Sequence, residues 1–219
     1  MNDDPSSSSL TPTQLRLVTL SACLAARASP LIRDALERAA TEVTDVEVEE
    51  ALLQSYLFLG YPTVLNAFKM WRELRGEAAE ESPDPGDEPW AEWADRGATI
   101  LGTVYGGQGD RLRSNVRRLH PDLERWMVVE GYGKVLGRSG LALVDRELCV
   151  VAILAVTGAI PQLYSHLRGT LNVGASIEQV RETLDEVREV ASEEGWPEVE
   201  NTWRSLLERR AASPPSAKG

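Results

Sequence analysis

Apolar residues recur at three- and four-residue steps along most of this 219-residue chain, and no stretch shows a convincing two-residue alternation. The pattern predicts helices throughout and an all-α fold. Start signals agree with it. Thr11-Pro12-Thr13-Gln14, Thr44-Asp45-Val46-Glu47 and Ser176-Ile177-Glu178-Gln179 each set a hydroxyl three residues before a Gln or Glu, the arrangement of a reciprocal N-terminal cap. Pro30 and Pro161 each sit where a helix would open.

One phrase occurs twice. "GYPTVLNAF" at 60–68 returns as "GWPEVENTW" at 195–203, an offset of 135, while Thr44 and Ser176 stand 132 apart and Pro30 and Pro161 stand 131 apart. Three landmarks in the same order with little drift predict a tandem of two homologous helical units. We place the first at 11–74 and the second at 96–210. Between them, 75–95 holds eight acids and three prolines and reads as a solvated acidic linker with Trp90 and Trp93 as its anchors. The repeat also predicts that Tyr61 and Trp196 occupy equivalent buried positions, followed by Phe68 and Trp203 on the same inward faces.

Composition narrows the function classes. A net charge of −11 argues against a nucleic-acid partner, which needs clustered cations to displace counterions. The apolar run at 15–28 is interrupted by Arg16 and Arg27, is too short to span a bilayer, and follows an acidic rather than a basic segment; a cytoplasmic protein without a membrane partner is expected. Cys23 and Cys149 form no CxxC pair, which suits a reducing compartment, and two histidines with scattered carboxylates give no metal-ligand spacing.

The two units differ where chemistry could reside. In the second, Gln162 and His166 lie four apart on one predicted helix, and Glu147 stands nineteen residues before His166 on the preceding one. The corresponding residues of the first unit are Leu31, Ala35 and Arg16. Imidazole exchanges protons near neutral pH, and a carboxylate against one ring nitrogen fixes its tautomer. A lone histidine in an amphipathic helix is also commonly a satisfied core residue, so both readings stand at this level. His120, before a proline at a helix start, reads as structural. "GTVYGGQG" at 102–109 completes no phosphate-binding motif and reads as a flexible turn, and "RLRSNVRR" at 111–118 as a solvated helix face.

The stretch "RELCVVAILAVTGAIPQLYSHLRGTLNVGAS", followed by a capped helix and "GWP", resembles the carboxymuconolactone decarboxylase family, which includes alkylhydroperoxidase-D-like proteins. The resemblance covers 96–203, including "PDLERWMVVEGYGKVLGRSGL", and extends more weakly over 11–74, as in fused two-unit members. It implies the helical alkylhydroperoxidase-D-like fold and a homo-oligomer, a trimer. The peroxidase branch uses a Glu, a CxxC pair and a His. Glu147 and His166 match that spacing, but the cysteine positions fall on Ala159 and Gln162, which opposes a thiol peroxidase. The decarboxylase branch implies a lyase without metal or organic cofactor, acting on a small carboxylated lactone or related acid. In that reading His166 reprotonates carbon, Gln162 donates to the enolate and Glu147 orients the ring, although this branch carries Glu where Gln162 stands. Arg138, Arg146 and Arg168 are the candidate cations for an anionic substrate. The alternative from another class is a non-catalytic oligomeric or ligand-binding scaffold.

Overall fold

The structure, a computed structural model, describes residues 9–76 and 90–212, and these contain helices and turns but no strand. The order is α1 (Pro12–Ala26), α2 (Ser29–Glu42), α3 (Asp45–Gln54), a one-turn α4 (Tyr56–Leu59) and α5 (Tyr61–Arg75). After the undescribed segment come α6 (Trp90–Tyr105), α7 (Gly109–Leu119), α8 (Pro121–Trp126) and a π-helix (Met127–Leu136). The chain ends in α9 (Leu143–Thr157), α10 (Ile160–Asn172), α11 (Ile177–Val187) and α12 (Trp196–Ala212). All three expected caps form with both reciprocal hydrogen bonds, at Thr11, Thr44 and Ser176.

α1 and α9 lie against each other at the centre, which is why both read as nearly continuous apolar runs. Leu17, Leu20 and Leu24 of α1 and Leu148, Val150 and Ile153 of α9 are buried. The apolar run at 15–28 is thus a core helix. Among the described residues no helix is long and apolar enough to cross a membrane. The four helices α1, α2, α3 and α5 have 15, 14, 10 and 15 residues, and α9 to α12 have 15, 13, 11 and 17.

The repeated phrase opens a helix both times, with the aromatic-proline pair at the start of α5 and of α12. Its first aromatics are not equivalent, and this corrects the sequence expectation. Trp196 is buried beneath the Arg188 guanidinium, whereas Tyr61 is 64% exposed and stacks on Tyr56 at 5.1 Å. Tyr56 belongs to the one-turn α4, and Tyr61 stacks on it at the surface. Trp203 is buried and Phe68 half-buried.

Two further expectations change. Of the 75–95 linker, 77–89 lies outside the described residues, and 90–95 are already helix, since α6 begins at Trp90. "GTVYGGQG" is no flexible turn: it completes α6, makes one 3₁₀ turn at Gly106–Gln108 and starts α7. α6 packs closely on the π-helix because two glycines allow it. A Cβ on Gly97 would strike the Val128 carbonyl, and one on Gly133 the Trp93 carbonyl.

Candidate functional site

Glu147 is wholly buried on the apolar α9, where an ionised carboxylate is costly without a partner. The partner is His166. Gly158, in the left-handed conformation at φ 68°, ends α9, and the chain turns back into α10 so that the two side chains face each other. His166 Nδ1 and Glu147 Oε2 are 2.8 Å apart, and the imidazole is 6% exposed. An ionised carboxylate only accepts, so Nδ1 carries the proton in this pair and Nε2 is the free basic nitrogen. On the same helix Gly169 permits the approach: a Cβ there would come 2.6 Å from Val104 Cγ1 and 3.2 Å from Glu147 Oε2.

Three aromatic residues complete the surroundings. Phe58 from α4 and Tyr105 from α6 meet the imidazole edge to face, with ring centroids 6.1 and 6.2 Å away. The Tyr105 hydroxyl is 2.8 Å from that of Tyr132 on the π-helix, and both rings are buried. Burial pushes the Tyr105 phenol up to about 12, with the Glu147 charge adding to it, and burial raises Tyr132 well above the ordinary tyrosine range. Both are therefore neutral hydroxyls at physiological pH. One O–H···O contact between two hydroxyls uses one proton, which leaves the pair a second to donate. Glu147 Oε1 and Arg168 Nε, both buried, have no hydrogen-bond partner among the described residues.

Of the other sequence candidates, Gln162, Arg138 and Arg146 make no side-chain hydrogen bond with the dyad among the described residues. Gln162, one turn before His166, is exposed. Arg138 and Arg146 are committed to Glu50 of α3: Arg138 Nη2 donates to Oε1 at 2.8 Å and Arg146 Nη2 to Oε2 at 2.7 Å. Arg146 is fully buried and also donates to Gln54 Oε1 and the Leu141 carbonyl. Both guanidiniums thus share one carboxylate inside the fold, apart from the dyad. Arg168 is the one proposed cation left beside the cluster, near enough for its charge to act on Tyr105.

In the first run of helices, Arg16 pairs with Glu42 at 2.9 Å, Leu31 is exposed and Ala35 buried, so the positions equivalent to the dyad hold no acid–base pair. His120 caps α8, its Nδ1 accepting from the Asp122 backbone N–H at 3.1 Å. Cys23 and Cys149 are free and buried, and burial raises their thiols to about 11 and about 12. Among the described residues no group of three or more His, Cys, Asp or Glu is placed to hold a metal ion.

Residues 121–208 match the carboxymuconolactone decarboxylase family. This segment belongs to that family. It contains the whole α9–α10 hairpin, and hence Glu147 and His166, together with Tyr132, while Phe58 and Tyr105 lie outside it. The chain is also similar to Peroxisomal protein 2 of Schizosaccharomyces pombe, at 27% identity over 198 residues, covering 85% of this chain and 89% of that protein. Peroxisomal protein 2 of Saccharomyces cerevisiae is 24% identical over 169 residues, covering 65% of this chain and 58% of its own length.

Proposed function

We propose that this chain is a cofactor-free acid–base enzyme, a carboxy-lyase acting on a small carboxylated lactone or related acid, with His166 as the proton-carrying group. The observation that carries this reading is the buried 2.8 Å bond between His166 Nδ1 and Glu147 Oε2. It fixes one ring nitrogen and frees Nε2 for proton transfer. In such a reaction the bond to the leaving carboxylate breaks, CO2 departs, and its electron pair becomes an extended enolate. The imidazole takes a proton from solvent at Nε2, delivers it to carbon and returns to its neutral form. Hydroxyl donors placed before the reaction stabilise an enolate better than mobile water does. The second proton of the Tyr105–Tyr132 pair is one such donor, since the Tyr105 ring lies against the imidazole, and Arg168 supplies the cation for an anionic substrate.

The test is CO2 release from γ-carboxylated lactones by the purified chain. His166→Ala should reduce turnover at least a thousandfold with the fold intact, and Glu147→Gln by a smaller factor through loss of ring orientation. A wild-type protein that binds such lactones without turning them over supports the second reading, a scaffold that retains a buried polar dyad. The exposure of Gln162 and the commitment of Arg138 and Arg146 to Glu50 favour that alternative.

The same reading includes a duplicated architecture, supported by the matching succession of helix lengths, in which the second unit carries the dyad. It also includes a homotrimer, for which light scattering should give three chain masses, and a monomer would exclude it. The relatives are named peroxisomal and both cysteines are free and buried. A reducing compartment, cytoplasm or peroxisome, fits both facts, and imaging of a fluorescent fusion against a peroxisomal marker decides between them.

A further inference from the structure

A groove of about 470 Å³ runs between α6, α7, α8 and the π-helix, away from His166. Its floor is apolar, made by Ala94 and Ala98 of α6 and Val128 of the π-helix, and Trp90 forms part of the wall. Its rim is cationic in a chain of net charge −11. Three guanidiniums, Arg113, Arg117 and Arg125, line it against two carboxylates, Asp122 and Glu124, which leaves one net positive charge.

Glu124 organises these cations. It is 3% exposed and accepts from Arg113 Nε at 2.7 Å and from Arg117 Nη2 at 2.8 Å. Burial works against its ionised form, but the hydrogen bonds from Arg117 and Arg113 outweigh it, and the carboxyl is held below its ordinary value. A buried acid bridging two arginines fixes their side chains while each keeps further N–H donors unspent. Arg125 lies over the Trp90 ring at 5.7 Å and touches Asp122 only loosely, at 3.6 Å. The volume lies within the range of small-molecule sites, and an apolar floor under a few convergent polar groups is their usual composition.

We propose that this groove binds a small anion with an apolar body, a carboxylate or sulfonate head on an acyl or aryl group. The single net positive charge suits a monoanion better than a polyphosphate, and the apolar floor distinguishes such a ligand from a free inorganic ion. The site is separate from the dyad and does not depend on the chain being an enzyme.

The experiment titrates the full chain with 1-anilinonaphthalene-8-sulfonate, an arylsulfonate monoanion that fluoresces on leaving water, and displaces it with octanoate, octanol or octylammonium. Octanoate should displace the probe at least tenfold more effectively than octanol, octylammonium should fail, and added salt should weaken binding. Arg117→Gln and Arg125→Gln should each weaken probe binding about tenfold; the Arg125 side chain is 61% exposed and pairs only loosely, so Arg125→Gln is the variant that leaves the fold intact, whereas Arg117→Gln also removes one partner of the buried Glu124 and is read with its Tm. A second open groove, beside Tyr164 and Arg209, is the control, and Arg209→Gln should leave the titration unchanged. Equal displacement by octanol, indifference to both α7 and α8 substitutions, or sensitivity to Arg209→Gln would overturn the proposal. So would a probe signal that vanishes as the chain self-associates, since the groove would then be a contact between copies.

Discussion

Replacing Glu50 by Gln tests a largely buried ion cluster outside the dyad. Glu50 joins α3 to α9 and to the segment preceding it by accepting from Arg146 and Arg138. The substitution keeps the shape but removes the one carboxylate that pairs with Arg146 among the described residues, and the Arg146 side chain is 0% exposed. Gln54 Oε1 and the carbonyls of Leu141, Arg138 and Ser139 still accept from that guanidinium, yet none carries a charge. Removing one partner of a buried pair typically costs about 3–5 kcal/mol, because the desolvated charge is left uncompensated. Arg138 adds little, since its side chain is 30% exposed and can turn to water. For a chain of this length about 1 kcal/mol moves Tm by roughly 2–4 °C, so a fall on the order of 6–20 °C is expected.

Calorimetry across pH sharpens the test. Burial opposes ionisation of Glu50, but the hydrogen bonds from Arg138 and Arg146 hold its carboxyl below the ordinary value. A group depressed in the folded state stabilises above its unfolded pKa, roughly 4.3 for Glu, and loses that contribution as pH falls through the folded value. The Tm gap between wild type and Glu50→Gln should therefore be full at pH 7 and narrow below about pH 4. Adding Arg146→Met to Glu50→Gln should recover part of the loss, because the orphaned charge is removed. A Glu50→Gln protein whose Tm falls by less than about 2 °C, or a gap that does not change with pH, would refute the reasoning.

Gly133→Ala should disrupt the α6–π-helix contact, since its methyl meets the Trp93 carbonyl rather than a flexible side chain; loss of near-ultraviolet circular dichroism and a lowered Tm are the expected signs, and an unchanged Tm would contradict the close approach. Neither thiol should react with a disulfide reagent at pH 7.5 in the folded protein, because both are buried and held protonated by desolvation, and both should react after unfolding. Rapid labelling of Cys149 in the native state would reopen a thiol-based activity.

The sequence made the helices legible because their signals are local. A cap at Thr11 or Ser176 is written within four residues, and apolar spacing is written within one or two turns. The Glu147–His166 pair was legible for a related reason, since a hairpin of two helices brings residues nineteen apart face to face. What could not be read depends on contacts distant in sequence. Arg146 looked like a free cation because its carboxylate stands 96 residues earlier, on α3. Tyr105 sat in a glycine-rich stretch that resembled a turn, and its partner Tyr132 is 27 residues away on a π-helix with no distinguishing periodicity of its own. Tyr61 was expected inside because its repeat partner is a buried Trp, but it stacks on Tyr56 of α4 and stays exposed, a contact the repeat does not contain.

The central helices show why an acid–base pair is sustained on one side of the molecule and not the other. α9 can hold a wholly buried carboxylate because His166 faces it across a hairpin and Gly169 lets α10 and α6 close over the pair. At the matching position on α1, Arg16 points outward to Glu42 at the surface, where its charge needs no buried partner. Ala35, in the place of His166, packs into the core instead. A carboxylate at position 16 would therefore face a methyl group rather than an imidazole, with nothing to offset its desolvation if it turned inward. Transplanting the site thus requires both Arg16→Glu and Ala35→His. Either substitution alone places a polar group where the packing supplies no partner, and the imidazole would further have to displace the core packing around Ala35.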